Sequence, residues 1–199
     1  MGWTSIWSLR CLFGLRSMET KKRNQKGNVM EIIEIGAGSI FYATANMKVR
    51  ALSGSTVYAQ AGCLVEAFRG SLVFAETDAE VKGHEGSSVI VVGRCWVHAY
   101  SGCRVTVMDS AQNAQVHGYL DAHIDAYGGI VHANPGCLVN AHQGCLVWSH
   151  FSAVVHAFAG SDVHADHGSI TYVYLQAEID AHEDAVVHLF PGGTVRYRR

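Results

Sequence analysis

From Gly38 to the C-terminus the chain repeats itself every eight residues. Clear copies read GSTVYAQA from Gly54, GCLVEAFR from Gly62, GSLVFAET from Gly70, GCLVNAHQ from Gly136 and GSDVHADH from Gly160. The unit is G-[S/A/C]-x-V-x-A-x-x. So short a unit cannot bury its own apolar face, so it must stack on copies of itself, and a fixed period therefore constrains the fold more than any local propensity does. Nine units precede a three-residue insertion, Ser110, Ala111 and Gln112. Eleven follow it, the Asp121 unit being one residue short.

Position four of the unit is Val in 16 of the 20 units, with Phe41, Ile124, Thr171 and Ile179 as the exceptions, and position six is Ala in 12. Position two is small everywhere except Met47. Positions three, five and seven vary freely. Alternation of small or apolar with variable residues over about five positions is the signature of a half-buried β-strand. Positions eight and one collect Gly, Asn and Asp, which tolerate the positive φ of a tight corner. A helix is excluded because the apolar spacing is two and β-branched residues dominate.

Side-chain volume sets the number of units per coil. A three-sided coil of 24 residues has a wide axis that Val cannot fill, and the void would forfeit dispersion contacts. Two units per coil let Val meet Val between two close sheets, with Ala, Ser or Cys at the narrow edges. The sequence thus predicts an all-β, two-sided parallel β-solenoid of about ten coils, roughly 48 Å long at the usual strand spacing. Its domain reading is residues 38–199 as the solenoid, 30–37 as a capping strand, and 1–29 as an N-terminal segment, either disordered or upstream of a true start at Met18 or Met30. Trp3, Ile6, Trp7, Leu9, Leu12, Phe13 and Leu15 form an apolar patch there, followed by Lys21, Lys22, Arg23 and Lys26. Charge after the apolar run does not fit a secretory signal, and the run is too short to span a membrane. The expected location is cytoplasmic.

Charge is unevenly placed. Between Gly38 and Val195 there are fourteen acidic residues against six basic ones. No Lys or Arg occurs from Val105 to Val195, a stretch with ten of the twelve His. An acidic body is unsuited to coating nucleic acid, which needs a basic stripe. Alternate units carry outward histidines, His84, His98, His117, His132, His150, His164 and His182, expected on one face. Near its C-terminal end, stacking places His150, Asp166 and His182 in one column and Trp148, His164 and Asp180 in the next. Imidazole and carboxylate at strand spacing suit a divalent transition metal, so His150, His164, Asp166, Asp180 and His182 are the candidate ligands, against the plainer reading of a hydrogen-bonded Asp–His ladder. Neighbouring carboxylates are expected to raise the histidine pKa values. Five of the six Cys occupy position two, and none stacks directly on another, so they read as small buried hydrophobes in a reducing compartment rather than disulfides.

The octads resemble those of uncharacterised bacterial and phage proteins built from G-S-x-V-x-A units. They are loosely similar in repeat length to plant ice-binding β-rolls, which also use two repeats per coil. Ice-binding faces carry regular Thr or Asn ranks, and this chain has Phe68, Phe74, Glu76, Trp148 and His at those places. The resemblance implies fold and not activity. The leading functional reading is a non-enzymatic structural or binding module that presents flat faces to a protein or surface partner, with no cofactor and homo-oligomerisation compatible with it. A His-rich metal-binding or pH-sensing protein is the alternative. An enzyme would need a site at a subunit interface, since no nucleophile–base pair or phosphate loop is present.

Overall fold

The computed structural model describes residues 32–198, so the apolar N-terminal patch and its basic stretch lie outside the described residues. The described chain is a succession of short strands: β1 (Ile32–Ile35), β2 (Ile40–Ala43), β3 (Lys48–Ala51), β4 (Thr56–Ala59), β5 (Leu64–Ala67), β6 (Leu72–Ala75), β7 (Glu80–Gly83), β8 (Ser88–Val91), β9 (Trp96–Ala99), β10 (Arg104–Val107), β11 (Gln115–Gly118), β12 (His123–Ala126), β13 (Ile130–Ala133), β14 (Leu138–Ala141), β15 (Leu146–Ser149), β16 (Val154–Ala157), β17 (Asp162–Ala165), β18 (Ile170–Val173), β19 (Glu178–His182), β20 (Val186–Leu189) and β21 (Thr194–Arg198). Odd-numbered strands form one parallel sheet of eleven, sheet A. Even-numbered strands form another of ten, sheet B. Each coil contributes one strand to each sheet, which is the two-octad, two-sided solenoid that the volume argument requires.

The inward side chains are those of positions two, four and six. The position-four valines from Val49 to Val163 are at most 1% exposed and those of the last two strands, Val187 and Val195, are partly buried; Ala at position six from Ala43 to Ala181 has no exposed surface. Val–Val contact along the middle and Ala at the edges give a thin, continuous core, in which each buried aliphatic side chain contributes about 1.5–3 kcal/mol of transfer free energy. Registers between neighbouring strands keep equivalent positions opposite each other, as in Val139 against Ile124 and Val155.

The corners explain positions one and two. Position one takes a positive φ in 16 of the 20 units, for example 75° at Gly54 and 61° at Ser152, with Arg94, Asn113, Gly128 and Asp184 as the exceptions. Its N–H donates to the carbonyl of position one in the next coil, as Gly54 to Gly70 at 2.8 Å. Ser at position two donates its hydroxyl back to the carbonyl of position seven of the preceding unit: Ser55 to Leu52, Ser71 to Phe68 and Ser87 to His84, all at 2.6 Å. That carbonyl already accepts the N–H of the same Ser, and as a second acceptor site it satisfies the inward hydroxyl, so Ser persists in an otherwise apolar slot. Cys145 makes the same contact through Sγ, 3.0 Å from the His142 carbonyl.

The insertion and the short unit compensate one another. The sequence register drops the missing residue at the end of the Asp121 unit, whereas the structure keeps Gly128 there and drops position two after Gly129, in the same corner. Gly129 has the positive φ of 74°, and β13 begins at the very next residue. This shortened corner stacks on the lengthened one of the preceding coil. A Cβ on Gly129 would lie 3.0 Å from both the Ala111 and Ala114 carbonyl oxygens, and one on Gly128 would lie 3.0 Å from the Met108 oxygen. Ala111, Gly128 and Gly129 are buried there. The bulge of three residues is held by Gln112 Nε2 donating to the Asp109 carbonyl (2.6 Å) and Ser110 Oγ donating to Val92 (3.0 Å).

Candidate functional site

The two outer faces have different chemistry, which follows from which units fall on which sheet. On sheet A, the N-terminal strands carry an ion ladder. Arg50 lies 3.4 Å from Glu34 and 3.1 Å from Glu66, and Lys48 lies 2.9 Å from Glu66. Burial alone would raise the Glu66 carboxyl, but hydrogen bonds from Lys48 and Arg50 outweigh it and hold the group below the usual carboxylate range. Further along, rings take over. Phe68, His84, Tyr100 and Tyr119 stack in one column at 4.9, 5.3 and 5.3 Å. His98, His117 and His132 stack in the neighbouring column at 5.4 and 4.6 Å.

Two of those imidazoles, His117 and His132, are held below the ordinary histidine pKa. Burial in the stack is the main cause for His117 and His132. The like charge of neighbouring histidines adds to it, His132, His98 and His150 acting on His117 and His150 acting on His132. On sheet B, His156 is lowered by burial and then by His123. The sequence expectation of raised values is reversed at these three positions because rings, rather than carboxylates, surround them.

The five sequence-proposed metal ligands occupy the C-terminal end of sheet A and divide into separate contacts. His150 Nδ1 lies 3.1 Å from Asp166 Oδ2. His164 stacks on Trp148 at 4.3 Å, with Nδ1 3.9 Å from Asp180 and Nε2 3.9 Å from Asp162. His164 Nδ1 is buried without a hydrogen-bond partner. Arg196 lies 3.8 Å from Asp180, and Arg198 lies 4.0 Å from Asp166. These guanidinium groups begin at the residue directly after the Lys- and Arg-free stretch, and the parallel register brings them beside the carboxylates. His182 turns away from the column towards the corner, where Asp184 and His167 lie. Sequence reasoning passed over His167 and Asp184 because they occupy corner positions, which the strand alternation does not order.

Sheet B is a flat face of rings and aliphatic side chains. Tyr42, Tyr58 and Phe74 stack at 4.8 and 4.9 Å. Tyr127, His142, Phe158, Tyr174 and Phe190 form a second column with spacings of 4.3, 4.9, 4.8 and 4.7 Å. Beside it stand His156, Tyr172 and His188 at 4.8 and 4.7 Å. Leu138, Val154, Ile170 and Val186 line the remaining register of the same strands. Across the outward positions of all ten strands the charged residues are Glu76, Arg104 and Asp125 alone. Stacking at strand spacing turns each ring face towards the next coil, so a partner meets ring edges, Tyr hydroxyls and imidazole nitrogens.

The cysteines of the described residues are buried and free. Burial pushes the Cys63 and Cys103 thiols up to about 11, and those of Cys95, Cys137 and Cys145 to about 12. Such thiols are packing groups rather than nucleophiles. Among the described residues no helix is long and apolar enough to cross a membrane.

Fold and surface together define a two-sided parallel β-solenoid with one mixed, charged face and one ring-lined face. No family model matches the sequence, and a search of curated proteins finds no match. Four chains of known structure match. One is a crystallised fragment of TibA spanning residues 55–350, hyper-glycosylated by TibC. It is 12% identical, with a TM-score of 0.48, and the match covers 85% of this chain and 81% of that one.

Proposed function

We propose that this protein is a non-enzymatic binding rod that docks a protein partner on the outer face of sheet B. The observation that carries the reading is the contrast between the faces: sheet B gathers stacked rings and aliphatic side chains over its whole length with three charges, while sheet A holds the ion ladders. Protein interfaces are depleted of charge and enriched in aromatic residues at their centre, and an extended apolar surface of this kind marks an interaction site. Ten strands at about 4.8 Å, each presenting about five residues, make a face of roughly 800 Å². One side of a standard protein–protein interface has about that area. Rings braced by stacking lose little rotamer entropy on binding, which favours affinity. The free, buried thiols accord with a reducing cytoplasmic setting.

The test is capture of a partner from the source cell by wild-type protein and by two charge variants. Phe158→Lys with Tyr172→Lys places charge on sheet B, and Gln115→Lys with Ile130→Lys does so on sheet A. Loss of a specific partner with the sheet B pair alone supports the reading. Retention with the sheet B pair, or loss with the sheet A pair alone, removes it.

A further inference from the structure

We propose that His167, His182 and Asp184 form a binding site for a divalent transition cation of the zinc, cobalt or nickel type, at the corner where two adjacent coils turn from sheet A to sheet B. His167 stands in the turn after β17. His182 is the last residue of β19, and Asp184 follows it in the next turn. Parallel stacking of these two corners brings together residues fifteen and more positions apart.

The distances suit a metal. Asp184 Oδ2 lies 3.6 Å from His167 Nδ1 and 3.7 Å from His182 Nδ1. One ligand atom from each of the three residues falls within 4.8 Å of the other two. Ligand bonds of about 2.0–2.2 Å in a tetrahedral site place ligand atoms roughly 3.4 Å apart, so the two Asp184–imidazole edges need shifts of a few tenths of an ångström, and the edge between the two imidazoles, bounded at 4.8 Å, closes by rotation of the exposed His167 ring.

Ring orientation is a second, independent observation. Imidazole–imidazole pairs along the sheet faces lie nearly parallel, at 6° for His117 with His132 and 17° for His98 with His117. His167 and His182 instead meet at 59°, with centroids 5.9 Å apart. Rings at that angle can turn one nitrogen each towards a shared ion, which parallel stacked rings cannot. Phe151 packs on His167 at 6.2 Å and 51°, limiting that ring's freedom.

Donor chemistry selects the ion. Two imidazoles and one carboxylate favour zinc, cobalt, nickel or copper over magnesium and calcium, which demand oxygen ligands. His182 Nδ1 accepts from the Asp184 N–H at 3.2 Å, an exposed contact on the nitrogen that a cation would use. A cation at the site takes over the lone pair of that nitrogen and gives in return a bond to a carboxylate already alongside. Exposure of His167 and Asp184, 68% and 60%, leaves the remaining coordination positions to water.

The site differs from the strand column of His150, His164, Asp166 and Asp180, and one experiment separates them. Untagged full-length protein is titrated with zinc by calorimetry and with cobalt by visible absorption. Melting curves without metal establish that every variant is folded, which the exposed positions favour. One equivalent is expected to bind and to raise the melting temperature. His167→Gln and Asp184→Asn should each weaken binding by roughly tenfold or more, since each removes a direct ligand. His164→Gln should leave it unchanged. Failure of the wild type to bind zinc or cobalt overturns the proposal, as does a loss with His164→Gln that His167→Gln does not share.

Discussion

Gly83 of β7 and Cys103 share one space in the core. A methyl group on Gly83 would collide with Cys103 Sγ, and its next neighbours would be Ser87 Oγ and Val89 Cγ2, each at 3.3 Å. The same exchange recurs between Gly118 and Cys137, where Ile124 Cδ1 also closes in. At these two places position six lacks the usual Ala methyl and the facing position two carries a sulfur, so a larger residue on one side is matched by a smaller one on the other.

Gly83→Ala should therefore destabilise the solenoid by about 1–3 kcal/mol through overpacking, although Ala is ordinarily the better residue in a strand interior. Cys103→Ala alone should cost about 1 kcal/mol for its small void. Combined, the two substitutions should fall near wild type, because the new methyl occupies the space of the lost sulfur. Denaturant melts of all four proteins check this, and additive losses would show that the two sites do not share a volume.

Asn140 changes the meaning of a simple inward–outward comparison. Val139→Asp places a charge among residues with no exposed surface and should cost several kcal/mol, enough to disrupt the central coils. By alternation alone, Asn140→Asp next door would be silent. In the structure Asn140 Nδ2 donates to Asp125 Oδ1 at 2.7 Å, and it lies 3.2 Å from His123 Nε2. Substitution replaces a donor by a second carboxylate and should cost about 1 kcal/mol near neutral pH. Gln115→Asp, exposed between Trp96 and Ile130, is the silent outward change, within about 0.5 kcal/mol. Thermal melts of the three rank them in that order, and a melting point for Val139→Asp equal to that of Gln115→Asp would reverse the facing of the strands.

What the sequence makes legible is whatever repeats with the period. Val139 inward, Asn140 outward, Gly136 at a corner and alternate units on one sheet all follow from the octad, and the two-sided section follows from the size of Val. Contacts between coils are less legible. They depend on which outward side chains sit sixteen residues apart, a relation that exists only once the coil length is known. Hence the histidine column on sheet A could be anticipated, but the sorting of Phe158, Tyr172 and Tyr174 to the other face was not drawn from the same spacing. Corners carry no alternation at all, so His167 and Asp184 gave no signal. The one-residue offset at Gly129 is similarly hidden, because Gly128 and Gly129 fit position one equally well by composition and only the backbone φ separates them.

Acid should weaken the solenoid. His117, His132 and His156 have folded-state pKa values below the usual histidine value, so the fold favours their neutral form. The unfolded chain then binds more protons in the interval between the two values, and stability rises with pH across it. The contribution is present in full above the unfolded value of about 6.5 and is lost as pH falls through the folded values. The like charge of His98 beside His117, and of His150 beside His132, works in the same direction, although Asp166 at 3.1 Å from His150 partly offsets the latter. A higher melting temperature near pH 8 than near pH 5.5 is expected. His117→Asn with His132→Asn should flatten that slope while lowering stability throughout, since the ring stack is lost. Melting curves of both proteins across the range decide the matter. Greater stability at the acid end, or an undiminished slope in the double variant, would show that carboxylates rather than stacked rings govern these histidines.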